Sequence, residues 1–151
     1  MTSLYRLVRR ERAGDALSGE GARRYGGRWN PPGTAVVYAS ESRALAVLET
    51  FVHLPLEARV IAFVLFTLEL PGRAQLRRRV DARPPRSLIA SQEAGRAWLE
   101  DGDALALVVP SLIVPQERNY VLNVAHAQFA GVTVAGAEPF SFDERLWHAP
   151  H

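Results

Sequence analysis

Residues 60–70 (VIAFVLFTLEL) contain only two polar side chains, Thr67 and Glu69, and meet no Gly or Pro until Pro71-Gly72. A β-branched and aromatic run closed by such a breaker pair predicts a strand over residues 59–70, and so commits the chain to a sheet. It is too short to cross a bilayer, which takes about 20 apolar residues. Weaker strand signals lie at residues 4–8, 35–39 (AVVYA), 104–109, 112–114, 132–135 and 140–142. Helical periodicity is confined to two segments. Ser40 stands where an N-cap belongs for residues 41–53, in which Leu45, Leu48 and Val52 recur at three and four, and Pro55 ends the segment. Residues 87–100 present Leu88, Ala94 or Glu93, Ala97 and Trp98 on one face and close at Asp101-Gly102-Asp103. Strands and helices come in mixed order, which predicts an α+β fold rather than a regular βαβ array.

Between these elements, residues 13–33 are rich in Gly, Arg and Ser and read as a long loop, and residues 73–85 are polar and basic. Residues 119–126 read as a turn or short helix. A long loop inside a compact domain is usually functional. With 151 residues, 48% of them hydrophobic and 23% charged, the chain is expected to form a single domain over residues 1–151. It has no Cys, and all 18 of its cations are Arg. That removes lysine Schiff bases, P-loop lysines, cysteine nucleophiles, thiolate metal sites and disulfide frameworks. A Lys-free chain reflects base composition, or it reflects guanidinium groups facing anions, which they grip bidentately. A net charge of +2 is too small to argue for nucleic-acid binding. Arg6, Arg9, Arg10 and Arg12 are not followed by an apolar stretch, so the expectation is a cytoplasmic protein without signal peptide or membrane contact.

Three features could carry chemistry. Gly26-Gly27-Arg28-Trp29-Asn30 is either a tight turn with an exposed Arg or a backbone that approaches a ligand closely; it is not a dinucleotide-binding fingerprint. Glu49 borders the apolar face of the first helix, where a carboxylate is either solvated or held for a purpose, and Tyr38 ends the preceding strand nearby. Ser111 separates two apolar stretches, followed by Asn119, Asn123 and His126. A turn hydroxyl explains Ser111 as well as a nucleophile does, and no G-x-S-x-G elbow surrounds it. His53 and His126 lack metal-ligand spacing. Arg77-Arg78-Arg79 reads as a solvated loop or a partner contact.

Taken in order, the stretches LYR (4–6), GGRWNPPG (26–33), VVYAS (36–40), AVLETFVHL (46–54), PSLIVP (110–115) and NYVLNVAH (119–126) resemble the RES domain, named for an Arg, a Glu and a Ser. The resemblance implies an ADP-ribosyltransferase-like core of mixed and antiparallel strands with flanking helices. It implies a toxin of a bacterial toxin–antitoxin pair that takes NAD+ as substrate without a metal. The toxin would cleave the nicotinamide–ribose bond by phosphorolysis or hydrolysis, or else transfer ADP-ribose to a protein. A catalytically inert antitoxin-binding module is the rival from another class. By position, Arg28, Glu49 and Ser111 would be the catalytic namesakes, and Arg6, Arg28, Tyr38 and Asn119 would contact NAD+; His53 falls near a further active-site position, and the roles of His53, Asn123 and His126 stay open. The implied partner is an antitoxin with an Xre-type helix-turn-helix domain, and the implied state a homodimer without direct nucleic-acid binding. The residue chemistry fits: expelling nicotinamide leaves an oxocarbenium-like ribosyl cation that a carboxylate such as Glu49 stabilises. Arginines grip the pyrophosphate, and Tyr38 offers a ring or a phenol.

Overall fold

The computed structural model describes residues 2–79 and 87–148. Its strands are β1 (Ser3–Arg9), β2 (Val36–Ser40), β3 (Phe63–Glu69), β4 (Leu76–Arg78), β5 (Ala106–Pro110), β6 (Arg118–Asn123) and β7 (Thr133–Phe140). They form one seven-stranded sheet in the order β4-β5-β6-β2-β1-β3-β7, antiparallel except for the β4–β5 pair. Helices α1 (Glu20–Tyr25), α2 (Arg43–Phe51) and α3 (Leu88–Asp101) flank it, with short 3-10 turns between elements. This is the α+β class that the mixed order predicts.

Central strands are buried on both faces. In β5, Ala106 and Val108 join a core with Leu4, Val37, Leu68, Tyr120 and Leu122, while Leu107 and Val109 turn to the opposite face and pack with Trp29, Val36, Trp98 and Val121. The period of two along each strand is what divides these layers. A third cluster, Leu7, Ala46, Phe63, Leu65 and Phe142, sits beside α2. One joint in the sheet is loose: β1 and β2 register only at Tyr5 and Ser40, so the two strands diverge beyond that pair.

Several expectations are corrected. The 59–70 strand starts at Phe63, because Leu56–Val60 forms a 3-10 turn after Pro55. The 13–33 loop contains α1 and the end of a 3-10 turn over Arg10–Asp15. Ser40 ends β2, and Ser42 caps α2 by accepting from Leu45 N–H at 3.1 Å. Of the expected α2 face only Leu45 is buried; Leu48 and Val52 are 38% and 58% exposed. In α3 the buried positions are Ser91, Gly95 and Trp98, so of the expected face only Trp98 is fully buried; Leu88 is exposed. No strand forms at residues 112–114, which turn. Residues 119–126, expected as a turn or short helix, hold most of β6, a central strand between β5 and β2. The two C-terminal strand signals are one strand, β7. Residues 80–85 of the basic 73–85 stretch lie outside the described residues; the part before them includes β4. Arg77 is bonded to Asp101 and Asp103, and the Arg79 guanidinium lies over the Trp29 ring at 5.4 Å, so the arginine triplet is not a run of solvated charge. Among the described residues no helix is long and apolar enough to cross a membrane.

Candidate active site

Where β1 and β2 part, Arg6 occupies the gap. Its Nε donates to Ala16 O and its Nη1 to Tyr38 O, both at 2.9 Å. Both acceptors are neutral carbonyls, so among the described residues no carboxylate balances this guanidinium. Burial lowers its pKa to about 10, which still leaves it charged at neutral pH. A buried cation without a counter-ion is costly, and Arg6 lines a cavity of about 500 Å³ in which an anion would meet that cost.

The Gly26-to-Asn30 loop forms another wall of the cavity. Gly26 adopts a left-handed φ of 73° and Gly27 pairs with Asn30 in an isolated bridge. A side chain at Gly27 would stand 2.6 Å from the Tyr38 hydroxyl, so glycine is required there. Tyr38 donates to Asn30 Oδ1 at 2.6 Å and accepts from Trp29 N–H at 2.9 Å. Asn30, 0% exposed, donates in turn to the carbonyls of Ala22, Pro31 and Thr34. The loop thereby holds Arg28 at the cavity. The sequence marks Asn30 only as the end of this turn, where an Asn just before Pro31-Pro32 is a turn-forming signal. Burial pushes the Tyr38 phenol well above its ordinary value. The raised pKa stabilises the fold fully below about pH 10, where a free phenol ionises, and that contribution is lost as pH rises further. In urea titrations from pH 7 to 11, we expect Tyr38→Phe to be less stable at pH 7 by about 1–3 kcal/mol, the cost of stranding buried partners. It should also lose less stability than wild type on the alkaline side.

Opposite this loop, α2 presents Glu49. Its Oε1 accepts from Ser111 Oγ at 2.6 Å and from Asn119 Nδ2 at 2.9 Å. The polarity of both donors is locked. Ser111 Oγ already accepts the backbone N–H groups of Ile113 and Val114 at 3.0 Å, so its single proton points to Glu49. Asn119 Oδ1 accepts from Ser40 Oγ at 2.7 Å, which turns the amide's donor side toward Glu49. Oε2 has no such donor among the described residues. Glu49 is thus held, not merely solvated, with one oxygen anchored and the other available.

Arg6, Arg28, Tyr38, Glu49, Asn119 and His53 line the same cavity. Ser111 does not. It is 0% exposed and stands behind Glu49. Asn123 is also buried and accepts from Ala125 N–H, and His126 caps a 3-10 turn through Nδ1; neither lines the cavity. Ser40 and Tyr5 are cavity residues that sequence reasoning did not single out. The local sequence marks Ser40 only as a helix cap, and nothing local marks Tyr5.

The RES domain family model matches residues 3–143. "Toxin Res" of Yersinia enterocolitica is 36% identical over 154 residues, covering 95% of this chain and 98% of that one. "Prs ADP-ribosylating toxin" of a Sphingobium species is 36% identical over 157 residues, covering 96% of each. "NAD(+) phosphorylase MbcT" of Mycobacterium tuberculosis is 56% identical over 36 residues, 23% of this chain and 19% of that one. The solved MbcT–MbcA toxin–antitoxin complex of that organism matches the fold with a TM-score of 0.74 at 22% identity, covering 92% of this chain and 84% of the solved one.

Proposed function

The chain belongs to the RES-domain family, and we propose on that premise that it is the NAD+-cleaving toxin of a toxin–antitoxin pair, breaking the nicotinamide–ribose bond and depleting NAD+. The observation that carries this reading is one cavity with an Arg6 that no carboxylate balances among the described residues on one side and a half-anchored Glu49 on another. A dinucleotide brings both complements: a pyrophosphate for the arginines and a ribose that becomes cationic as its bond breaks.

In the reaction the ribose C1–nitrogen bond breaks and its electron pair leaves with nicotinamide, which becomes neutral. The ribosyl cation is stabilised by the free oxygen of Glu49, which also orients the adjacent ribose hydroxyl. Ser111 and Asn119 keep the carboxylate in place from behind. Arg6 and Arg28 hold the pyrophosphate by charge-assisted bonds. The Tyr38 hydroxyl is spent on the Arg28 loop, so the ring is what it offers to the ligand. An acceptor oxygen then forms the new C1–oxygen bond and its proton passes to solvent.

The free chain incubated with NAD+, with and without phosphate, tests this by mass spectrometry of small molecules and protein. ADP-ribose identifies hydrolysis, and ADP-ribose-1″-phosphate identifies phosphorolysis, the activity named for MbcT. A mass increment on protein identifies transfer, a second reading favoured by the full-length similarity to the Sphingobium toxin. Unchanged NAD+ in every arm defeats the proposal and leaves an inert binding module. Arg28→Lys keeps the charge but loses the planar fork. We expect reduced growth inhibition from it on induced expression; full inhibition would argue against a bidentate clamp. The partner proposed is an antitoxin that covers this cavity, in line with the complex in which the structural neighbour is found.

A further inference from the structure

Among the described residues α3 lends no side chain to the cavity, yet it grips the segment that carries Arg28. Gln92 Nε2 donates to Gly27 O at 3.0 Å and to Asn30 O at 3.3 Å. These two carbonyls bracket Arg28 and Trp29, and their residues already face each other through Gly27 N–H to Asn30 O at 2.9 Å. One side-chain amide therefore ties both ends of the turn to a helix. The helix is itself well anchored: Ser87 caps it, Gly102 closes it at φ 64°, and Trp98 is fully buried. One turn beyond Gln92, Gly95 lies directly against the Trp29 carbonyl.

We infer that Gln92 is a positioning residue for Arg28. The chemistry suits the task. A neutral amide supplies two protons and no charge, so it holds two carbonyl oxygens without competing with Arg28 for an anion. If the turn opens, its backbone shifts and the guanidinium moves with it. A displaced guanidinium loses part of its charge-assisted, bidentate hold on an anion, so binding weakens. The identity of the ligand that Arg28 meets rests on the NAD+ reading above; the tie itself does not.

The test uses the full chain with Gln92→Ala and Gln92→Lys. Lys restores a donor that reaches both carbonyls, although with a charge. For Gln92→Ala we expect KM for NAD+ to rise about tenfold, the scale of losing two neutral hydrogen bonds, with kcat nearly unchanged. Amide exchange over residues 26–33 should quicken, and Gln92→Lys should restore the slower exchange. A merely structural role would lower the melting temperature and leave KM alone; that result, or wild-type KM together with wild-type exchange, overturns the inference. If the wild-type chain turns over no NAD+, the proposed reaction is what has failed. Calorimetry with inorganic pyrophosphate then decides for Gln92: weaker binding in the Ala variant supports its role, and equal binding in the Ala and wild-type chains refutes it.

Discussion

Glu49→Ala should lower the rate of NAD+ consumption by about 10²-fold or more, the usual scale for deleting a group aimed at transition-state charge. Glu49, which lines the cavity, spends one oxygen on Ser111 and Asn119, while the other meets no donor among the described residues. The cost of holding a carboxylate still is thus met in the folded protein before any ligand arrives. Truncation also leaves the Ser111 hydroxyl and the Asn119 amide without their acceptor, which adds a stability loss of about 1–3 kcal/mol. Glu49→Gln separates the two effects, because its amide oxygen still accepts from both donors while the charge is gone. We expect Glu49→Gln to melt close to wild type and to be nearly as inactive as Glu49→Ala. Purified Glu49→Ala depleting NAD+ at the wild-type rate would remove Glu49 from the chemistry.

Gly95→Ala should be the most damaging single-methyl change in α3. A Cβ at Gly95 would lie 1.6 Å from Trp29 O and 2.7 Å from Trp29 C. Both atoms are backbone, so no rotamer change relieves the clash. Either α3 lifts from the sheet, exposing Trp98, or the turn carrying Arg28 is pushed toward the cavity. Overpacking of this kind costs about 3 kcal/mol or more, and at the sensitivity of a chain this size that lowers the melting temperature by roughly 6–12 °C. Gly14→Ala is the control, because a Cβ there meets nothing within 4 Å; its stability should stay within about 0.5 kcal/mol of wild type. A Gly95→Ala chain that melts with wild type would mean that α3 and the Arg28 turn do not pack this closely.

Much of the fold was legible from local pattern. The apolar runs within residues 59–70, 35–39 and 104–109 announce strands, and the closing Asp101-Gly102-Asp103 announces the end of α3. The strand β6 was not legible. Its apolar core, Tyr120 to Leu122, is three residues long and bracketed by Asn119 and Asn123, residues whose local preference is for turns. Tertiary context overrides that preference, because β5 and β2 supply a hydrogen-bonding partner on each side. The face of α2 was misread for a related reason. Periodicity favoured Leu45, Leu48 and Val52, whereas the helix turns Leu45, Ala46 and Glu49 inward, toward the sheet and Asn119.

The amino-acid sequence by itself determined the α+β class, the family to which the chain belongs, and the residue types available for chemistry: arginines without lysine, a carboxylate on a helix, a serine between apolar stretches. It could not place them relative to one another. Ser111 and Asn119 meet Glu49 across separations of 62 and 70 residues, and Arg6 reaches Tyr38 across 32. Such contacts leave no trace in local periodicity, which records only which face of an element is buried. The tertiary structure decided that Ser111 stands behind the carboxylate rather than in the cavity, and that the charge of Arg6 lies where β1 and β2 part. Both follow from the strand order β5-β6-β2-β1, which alone brings those distant segments side by side.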